Sequence, residues 1–349
     1  MRFKNIFVLL LLIFGAETFA QNYFLPAQSP FTHNTGIAFN VLMTKWYVDP
    51  SIMYDPAKRI ECATERMKVI AQRIKLIRTY SFFINGFEST GDLDPNAAAL
   101  MNLINSDKEV EGVIGNSENK AWYLQQDNTD AWVSKLKDQL GDNVSQVKCI
   151  IIGNEVNANN WTPGDIDAVM KNFKSSLNDA GLSICVTTSF NNLGVGPGAD
   201  PLEPYVAAVV NNWDEKWNGG FPFVFIDPYP GAPGIPDAAG VFNWQTNVMK
   251  FYQQKYPKLQ IFISETGAQG AANDAASVPV INSIYAELDK QYKAKGKTVP
   301  TFLFEAVDEP LKGGTPLQNN MGVYQDNNVP TGGSSITLKP GIVLPDWIK

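Results

Sequence analysis

Short runs of apolar, β-branched and aromatic residues recur along the chain at nearly regular intervals. They are bounded by turn residues and lack a clean alternation of apolar and polar positions, which is typical of strands covered on both faces in a parallel sheet. Eight such runs are present, and their starts lie 34 to 42 residues apart. The runs begin at Gly36, Ile74, Val110, Lys148, Leu182, Phe221, Leu259 and Thr301.

Helix-like segments fill the intervals between these runs. The segment Pro163–Ala180 has the clearest limits, because Thr162 can cap its start, Pro163 suits the first turn and Gly181 suits the end. Eight strand and helix units in one chain predict an α/β fold, a single-domain (β/α)8 TIM barrel. The other segments are Pro56–Arg73, Asn128–Leu140, Asn243–Tyr256 and Ala275–Lys293.

A doubly wound open sheet is the alternative fold. It would carry a glycine-rich turn after its first strand, but residues 40–44 contain no glycine. The glycine-rich stretch 194–198 follows the fifth run, lacks a lysine and opens no obvious helix, so we interpret it as a loop rather than a phosphate cradle. No repeat or linker splits the chain, which favours one domain of about residues 30–340, with ends (21–30 and 331–345) that are straps or frayed tails.

The first 20 residues have the pattern of a secretory signal peptide. Two cations precede nine apolar residues, 6–14, and Thr18 and Ala20 supply the small residues of a cleavage site. A membrane anchor is the alternative, but a spanning helix needs about 20 apolar residues. We therefore expect a mature chain of residues 21–349 that is secreted, periplasmic or cell-wall associated, without membrane insertion after cleavage.

Composition narrows the chemistry of this chain. Of 349 residues, 44% are hydrophobic and 18% charged, and 28 Lys and Arg face 35 Asp and Glu, so no broad basic surface is available for nucleic acid. The single histidine, His33, excludes His-rich zinc sites and triads that need histidine elsewhere. We expect no metal and no cofactor, a monomer, and catalysis by carboxylates, hydroxyls, amides and aromatic groups.

The three cysteines have no CxxC spacing. Cys149 and Cys185 lie inside apolar runs and are expected to be buried thiols. The odd count leaves at least one cysteine unpaired in a monomer.

Two glutamates follow apolar runs at corresponding offsets. Glu155 lies in the sequence GNEV, residues 153–156, and Glu265 in SETG, residues 264–267. Because catalytic groups of a barrel lie at the carboxyl ends of its strands, both side chains are expected at one mouth. Paired carboxylates there suit glycoside cleavage, in which one acid protonates the leaving oxygen and the other carboxylate attacks the sugar or activates water. For either glutamate alone, a solvated loop residue or an ion-pair partner is the alternative.

The GNEV and SETG motifs, followed by FEAVDEPLK at residues 304–312, resemble glycoside hydrolase family 17. This family contains the β-1,3-glucanases and related β-glucan transglycosylases of plants, fungi and bacteria. The resemblance extends from Gly36 to about Tyr324, and the last motif is closer to the fungal and bacterial branch. It implies a (β/α)8 barrel that retains anomeric configuration, with Glu155 as the acid/base and Glu265 as the nucleophile.

Further candidates come from the residues around these motifs. Asn154 is placed to hydrogen-bond the sugar 2-hydroxyl or, alternatively, to tie the strand end. Tyr229 could orient the nucleophile, stack on a sugar or pack its loop, and Tyr80 could hydrogen-bond or stack on substrate. Glu309 and Lys312 match a family Glu–Lys pair, in which the lysine offsets carboxylate charge and both bind hydroxyls.

Two positions depart from the family pattern. Gln318 stands where a glutamate is common, and because a neutral amide cannot supply charge, this departure affects substrate contacts rather than the chemistry. Ser81 stands where plant members usually have aspartate. Aromatic residues of predicted loops could cover sugar faces or pack the loops, whereas tryptophans of helical segments are expected in the core. The first set is Trp46, Tyr47, Phe82, Phe83, Trp122 and Trp161, and the second is Trp132, Trp213 and Trp244.

The sequence thus predicts an exported, metal-independent retaining enzyme that acts on β-1,3-glucan by double displacement. A β-1,3-glucan transglycosylase would use the same pair of glutamates and differ only in its acceptor. A non-catalytic glucan-binding or cell-wall protein is the alternative from another class. Linkage preference and endo or exo action stay open.

Overall fold

A computed structural model describes residues 29–41, 44, 49–84, 88–116, 119–191, 193–194, 202–217, 219–310, 319–327 and 335–348. The predicted signal peptide, Trp46, Tyr47, Lys312 and Gln318 lie outside these residues.

The predicted barrel is confirmed. Parallel strands form one sheet in the order β5-β4-β3-β2-β1-β9-β8-β7-β6, with helices around it. The strands are nearly all fully buried, which explains their unbroken apolar character. They are β1 (Thr35–Ala38), β2 (Leu76–Thr79), β3 (Glu111–Asn116), β4 (Val147–Ile152), β5 (Cys185–Thr187), β6 (Ser189–Phe190), β7 (Phe223–Ile226), β8 (Gln260–Thr266) and β9 (Thr301–Leu303).

The barrel closes through a strand that is broken in two. The fifth apolar run forms β5, which pairs with β4, and β6, which pairs with β7. Thr188 lies between the halves, where its hydroxyl donates to the Ile152 carbonyl at 2.7 Å and its carbonyl accepts from the Phe225 N–H at 3.0 Å. Because one residue bonds to both neighbours, nine strand segments fill eight barrel positions.

Nine helices lie between the strands in the described part of the chain. The predicted bounds of the segment that begins at Pro163 are confirmed, with a capping box between Thr162 and Asp165 and a left-handed Gly181 at its end. The helix predicted from Asn243 starts earlier, because Asp237 caps it by accepting from the Gly240 N–H. The helices are α1 (Pro50–Met53), α2 (Pro56–Ala71), α3 (Pro95–Ser106), α4 (Lys120–Tyr123), α5 (Gln126–Leu140), α6 (Pro163–Ala180), α7 (Glu203–Asn212), α8 (Ala238–Gln253) and α9 (Asp274–Lys295).

Two short 3-10 turns, Glu88–Thr90 and Gly141–Gln146, complete the described helical segments. None of the helices described has the length and apolar character needed to cross a bilayer.

An aromatic cluster fills the amino-terminal end of the barrel. Phe31, just before β1, makes edge contacts with Phe223, Phe262 and Phe302 at ring-centroid distances of 6.4, 6.2 and 6.1 Å. Glu111 at the start of β3 accepts backbone N–H bonds from residues 32 and 33, which holds the segment that carries Phe31. The chain before the first strand therefore plugs the bottom of the barrel and leaves the opposite mouth for chemistry.

The three cysteines are buried and free. Cys149 and Cys185 lie in register on β4 and β5, as expected for thiols inside apolar runs. Burial raises the pKa of Cys149 well above its usual value, so this thiol stays protonated near neutral pH.

The carboxyl-terminal segment packs across the outside of the barrel. The hairpin β10 (Tyr324–Asp326) and β11 (Ile336–Leu338) is joined to α2 by Arg66, whose guanidinium binds the Asp326 carboxylate at 2.9 and 3.1 Å. The buried Lys339 ammonium contacts carboxylate oxygens of Asp308 and Asp274, each at 2.8 Å. Of the two alternatives for this end, a strap or a frayed tail, the described residues 335–345 form a strap.

Replacing Asp326 by alanine removes the carboxylate that pairs with the buried guanidinium of Arg66. We expect the free energy of unfolding to fall by about 3–5 kcal/mol, because an uncompensated buried charge is left behind. Urea denaturation of both proteins measures this difference. The control is Lys171→Ala, which breaks the exposed pair with Asp167 (2.7 Å) and should cost about 0.5 kcal/mol or less; equal losses would contradict the assignment.

Candidate active site

Glu265 lies near the carboxyl end of β8 and is held from two sides. Its Oε2 accepts from the Tyr229 hydroxyl at 2.8 Å, and its Oε1 accepts from Arg78 Nη1 at 3.1 Å. Tyr229 follows β7 and Arg78 belongs to β2, so donors from separate strands fix both oxygens. The carboxylate is largely buried, with the guanidinium charge balancing its own.

Arg78 joins three strands inside the barrel. Besides Glu265, it donates to the Ser264 carbonyl at 2.8 Å and to Asn154 Oδ1 at 2.7 Å. Its guanidinium also lies 4.5 Å from the centroid of the Tyr80 ring, within the range of a cation–π contact. Sequence reasoning missed this residue, although a cation inside the apolar second run was the signal that could have found it.

Glu155 lies on a tight turn just after β4. Its backbone is left-handed (φ 47°), as is that of Gly153 (φ 67°), where an added Cβ would lie 2.5 Å from Val156 and 2.9 Å from Trp161. The Glu155 N–H donates to Ser189 Oγ at 3.1 Å, and its Oε1 accepts from Asn191 Nδ2 at 2.8 Å. Ser189 and Asn191, which sequence reasoning also missed, tie this turn to the end of the broken fifth strand.

The two glutamates influence each other electrostatically. Burial and the negative charge of Glu265 raise the pKa of Glu155, while the Asn191 hydrogen bond and Arg78 oppose the rise. Burial and Glu265 also raise the pKa of Asp227, which accepts a hydrogen bond from the Ser264 hydroxyl. The structure therefore brings Glu155 and Glu265 to one mouth, where they behave as interacting charges.

Asn154 serves as a structural tie. Its Oδ1 accepts from Arg78 and from the Ser189 hydroxyl (3.2 Å), which matches the alternative that the sequence left open. Its amide nitrogen has no hydrogen-bond partner among the residues described, so it can still donate to a ligand.

The Tyr80 and Tyr229 hydroxyls flank Glu265. Burial and the charge of Glu265 raise the pKa of both tyrosines well above the usual value, so both hydroxyls stay protonated. The Tyr80 hydroxyl is buried and makes no hydrogen bond of good geometry with the described residues. It is therefore a candidate donor to a bound sugar, whereas Tyr229 already orients Glu265.

The residues after the eighth barrel strand are more buried than the sugar-binding role predicted for Glu309 suggests. Glu309 is completely buried in this structure, and its predicted partner Lys312 lies outside the described residues. Asp308 accepts from the Gly322 N–H at 2.9 Å and from Lys339, and burial raises its pKa to about 6. Asp308 thus anchors the strap, and sugar contacts by Glu309 and Lys312 stay predictions.

Most described loop aromatics pack rather than line a groove. Phe82, Phe83 and Trp161 are buried, and Phe82 lies 4.3 Å from Trp132 between ring centroids. Trp122 is partly buried against the core. Among the helical tryptophans, Trp132 and Trp213 are buried and Trp244 partly so.

Within the described ranges, no group of three or more His, Cys, Asp and Glu residues is arranged to hold a metal ion.

Solved structures share this fold at low sequence identity. A Rhizomucor miehei β-1,3-glucanosyltransferase of glycoside hydrolase family 17 has a TM-score of 0.55 and 18% identity, with 89% of this chain and 97% of that chain covered. An active-site mutant of a Rhizomucor miehei β-1,3-glucanosyltransferase in complex with laminaritriose aligns with a TM-score of 0.55, 19% identity and the same coverage.

Plant β-glucan endohydrolases align with a TM-score of 0.55 and 17% identity over 83% of this chain and 96% of that chain. Neither protein-family models nor curated protein sequences match the chain. The likeness shows a shared barrel fold.

Replacing Glu265 by glutamine should lower the pKa of Glu155, because a neighbouring negative charge that disfavours a second carboxylate is removed. The measurement is a ¹³C NMR titration of glutamate side-chain carboxyls, with the Glu155 signal assigned by its loss in Glu155→Gln. Tyr229→Phe is the control, since it removes a donor to Glu265 but keeps the charge. An unchanged Glu155 titration in Glu265→Gln would show that the two carboxyls do not interact.

Proposed function

We propose that this protein is a retaining glycoside hydrolase that cleaves β-1,3-glucan, with Glu155 as acid/base and Glu265 as nucleophile. The observation that carries the proposal is the unequal setting of two interacting carboxyls at one barrel mouth. Glu265 is buried and accepts bonds from Arg78 and Tyr229, whereas Glu155 is partly buried and has a raised pKa. Such separation of environments assigns different roles to two carboxyl groups.

In the first step, Glu265 attacks the anomeric carbon while protonated Glu155 gives its proton to the leaving oxygen. Arg78 and Tyr229 hold the attacking carboxylate in orientation, so little reorganisation is needed. The product is a glycosyl ester on Glu265, and the leaving sugar departs as an alcohol.

In the second step, Glu265 no longer carries a negative charge, so Glu155 more readily becomes a carboxylate. Glu155 then takes a proton from water, whose oxygen attacks the anomeric carbon and releases Glu265. Retention requires the two carboxyl groups about 5–5.5 Å apart, which is a further condition of the proposal.

The substrate class is inferred from chemistry and from the similar structures. We assign donation to sugar hydroxyls to the Asn154 amide nitrogen, which has no partner among the described residues, and to the Tyr80 hydroxyl, which also lacks one. Laminaritriose is the ligand of one similar enzyme, which supports a neutral β-glucan for this acidic protein. We also propose membership of glycoside hydrolase family 17, closer to its fungal and bacterial branch, and export through the signal peptide.

A β-1,3-glucan transglycosylase is the second candidate, favoured by the likeness to the Rhizomucor miehei glucanosyltransferase. It would use the same first step and accept a sugar hydroxyl instead of water in the second. A non-catalytic glucan binder is disfavoured, because two mutually repelling carboxyls at one mouth bring no benefit to binding a neutral sugar.

Glu155→Gln should reduce turnover of linear β-1,3-glucan by about 10²–10⁴-fold, the usual contribution of a general acid or base. Glu265→Ala should reduce it by at least about a thousandfold, because the covalent intermediate cannot form. Reducing-sugar release measures both. Glu215→Gln, an exposed position, is the matched control and should retain full activity. Normal turnover in either active-site variant would contradict the assignment.

Product analysis separates hydrolysis from transfer. Incubation of the mature wild-type protein with linear β-1,3-glucan should give only shorter chains if water is the acceptor. Chains both longer and shorter than the substrate would identify a transglycosylase. Unchanged glucan would favour the non-catalytic glucan-binding protein. With ¹H NMR, the β-anomer should appear first among new reducing ends, as retention demands.

A further inference from the structure

Asn191 contacts Glu155, the proposed acid/base, and was not among the residues predicted from the sequence. It lies just after β6, and its Nδ2 donates to Glu155 Oε1 at 2.8 Å. This is the one side-chain hydrogen bond that the Glu155 carboxyl makes with the described residues. Glu265, in contrast, has donors on both oxygens.

Asn191 is itself held in place. Its backbone N–H donates to Asn157 Oδ1 at 3.0 Å, and the preceding strand end contributes Ser189, which accepts from the Glu155 N–H and, through its carbonyl, from the Val156 N–H at 3.0 Å. Three hydrogen bonds, one between backbone groups and two from backbone N–H groups to side chains, therefore join the turn after β4 to β6 and the residue that follows it. The backbone of Asn191 is thus anchored beside Glu155, while its side chain is exposed and holds Glu155 through the single bond at 2.8 Å.

An amide N–H can only donate, and a carboxylate oxygen accepts more strongly than that of a neutral carboxylic acid. We infer that Asn191 is a positioning residue for the acid/base: its amide fixes the orientation of the Glu155 carboxyl and favours the ionised form that the second step needs. This inference rests on the proposed function and adds a residue to it.

Other charged groups act on Glu155 as well. Glu265 on β8 and Asp227 after β7 are negative when ionised and oppose ionisation of Glu155, whereas Arg78 on β2 favours it. Because Glu265 becomes neutral in the glycosyl intermediate and Asn191 does not change, the amide acts on Glu155 in both steps. Loss of Asn191 should therefore make Glu155 a weaker acid throughout the cycle.

The test compares wild type with Asn191→Ala. The Glu155 carboxyl, followed by ¹³C NMR, should titrate at higher pH in the variant, because a donor to the carboxylate is gone. The alkaline limb of kcat/KM on β-1,3-glucan should move to higher pH with it. With a 2,4-dinitrophenyl glycoside of a β-1,3-linked glucose oligosaccharide, whose leaving group needs no acid, the acidic limb of kcat should also move upward.

At the wild-type pH optimum, kcat/KM on glucan should fall by about two- to tenfold, the effect of one lost hydrogen bond. Asn105→Ala, an exposed asparagine on α3, is the matched control and should change neither limb. Compared with Asn191→Ala, Asn191→Gln keeps an amide donor and should restore part of kcat/KM and move both limbs of the pH profiles back toward their wild-type positions. Thermal unfolding of each variant checks that the fold is kept.

Outcomes for this inference and for the proposed function are distinguishable. A variant with lower activity but unmoved limbs and an unmoved Glu155 titration would show a merely structural role and overturn the inference. A wild-type protein inactive on every glycoside would contradict the proposed function, while a moved Glu155 titration in Asn191→Ala would still establish the contact and its effect on ionisation.

Discussion

The buried guanidinium of Arg78 is the constraint on which the site depends. A charge inside a barrel must be balanced, because burial of an unpaired ion is costly. Here the partners are the carboxylate of Glu265, the Ser264 carbonyl and the Asn154 side chain. The contacts of one guanidinium therefore fix the ends of β4 and β8 relative to β2. Arg78 thus positions the residues on which both glutamates depend.

The residues predicted from sequence are those with a local signal. Apolar runs at regular spacing identified the barrel strands, and glutamates that directly follow such runs identified Glu155 and Glu265. The break in the fifth strand was not predicted, because Thr187 and Thr188 are good strand residues and their cross-strand hydroxyl bonds depend on closure of the barrel. Arg78 and Asn191 were missed for the same reason, since their partners lie 187 and 36 residues away along the chain.

The two glutamates differ in how the chain holds them. Glu265 lies within a strand, and donors from β2 and from the loop after β7 restrain the orientation of its side chain. Glu155 lies on a left-handed turn between loops, with one amide on its carboxyl and part of its surface open. A rigid group suits attack at a fixed carbon, and a partly accessible group suits repeated proton exchange with sugars and water.

The aromatic plug at the bottom of the barrel constrains the order in which the chain can fold. Phe31 stands before the first strand, yet its ring partners come from β7, β8 and β9, and β1 itself pairs with β9. The segment around Phe31 and β1 can reach these neighbours only after residue 303 or so has been synthesised. Contacts so distant in sequence form late. The barrel can therefore close only after its last strand has been made.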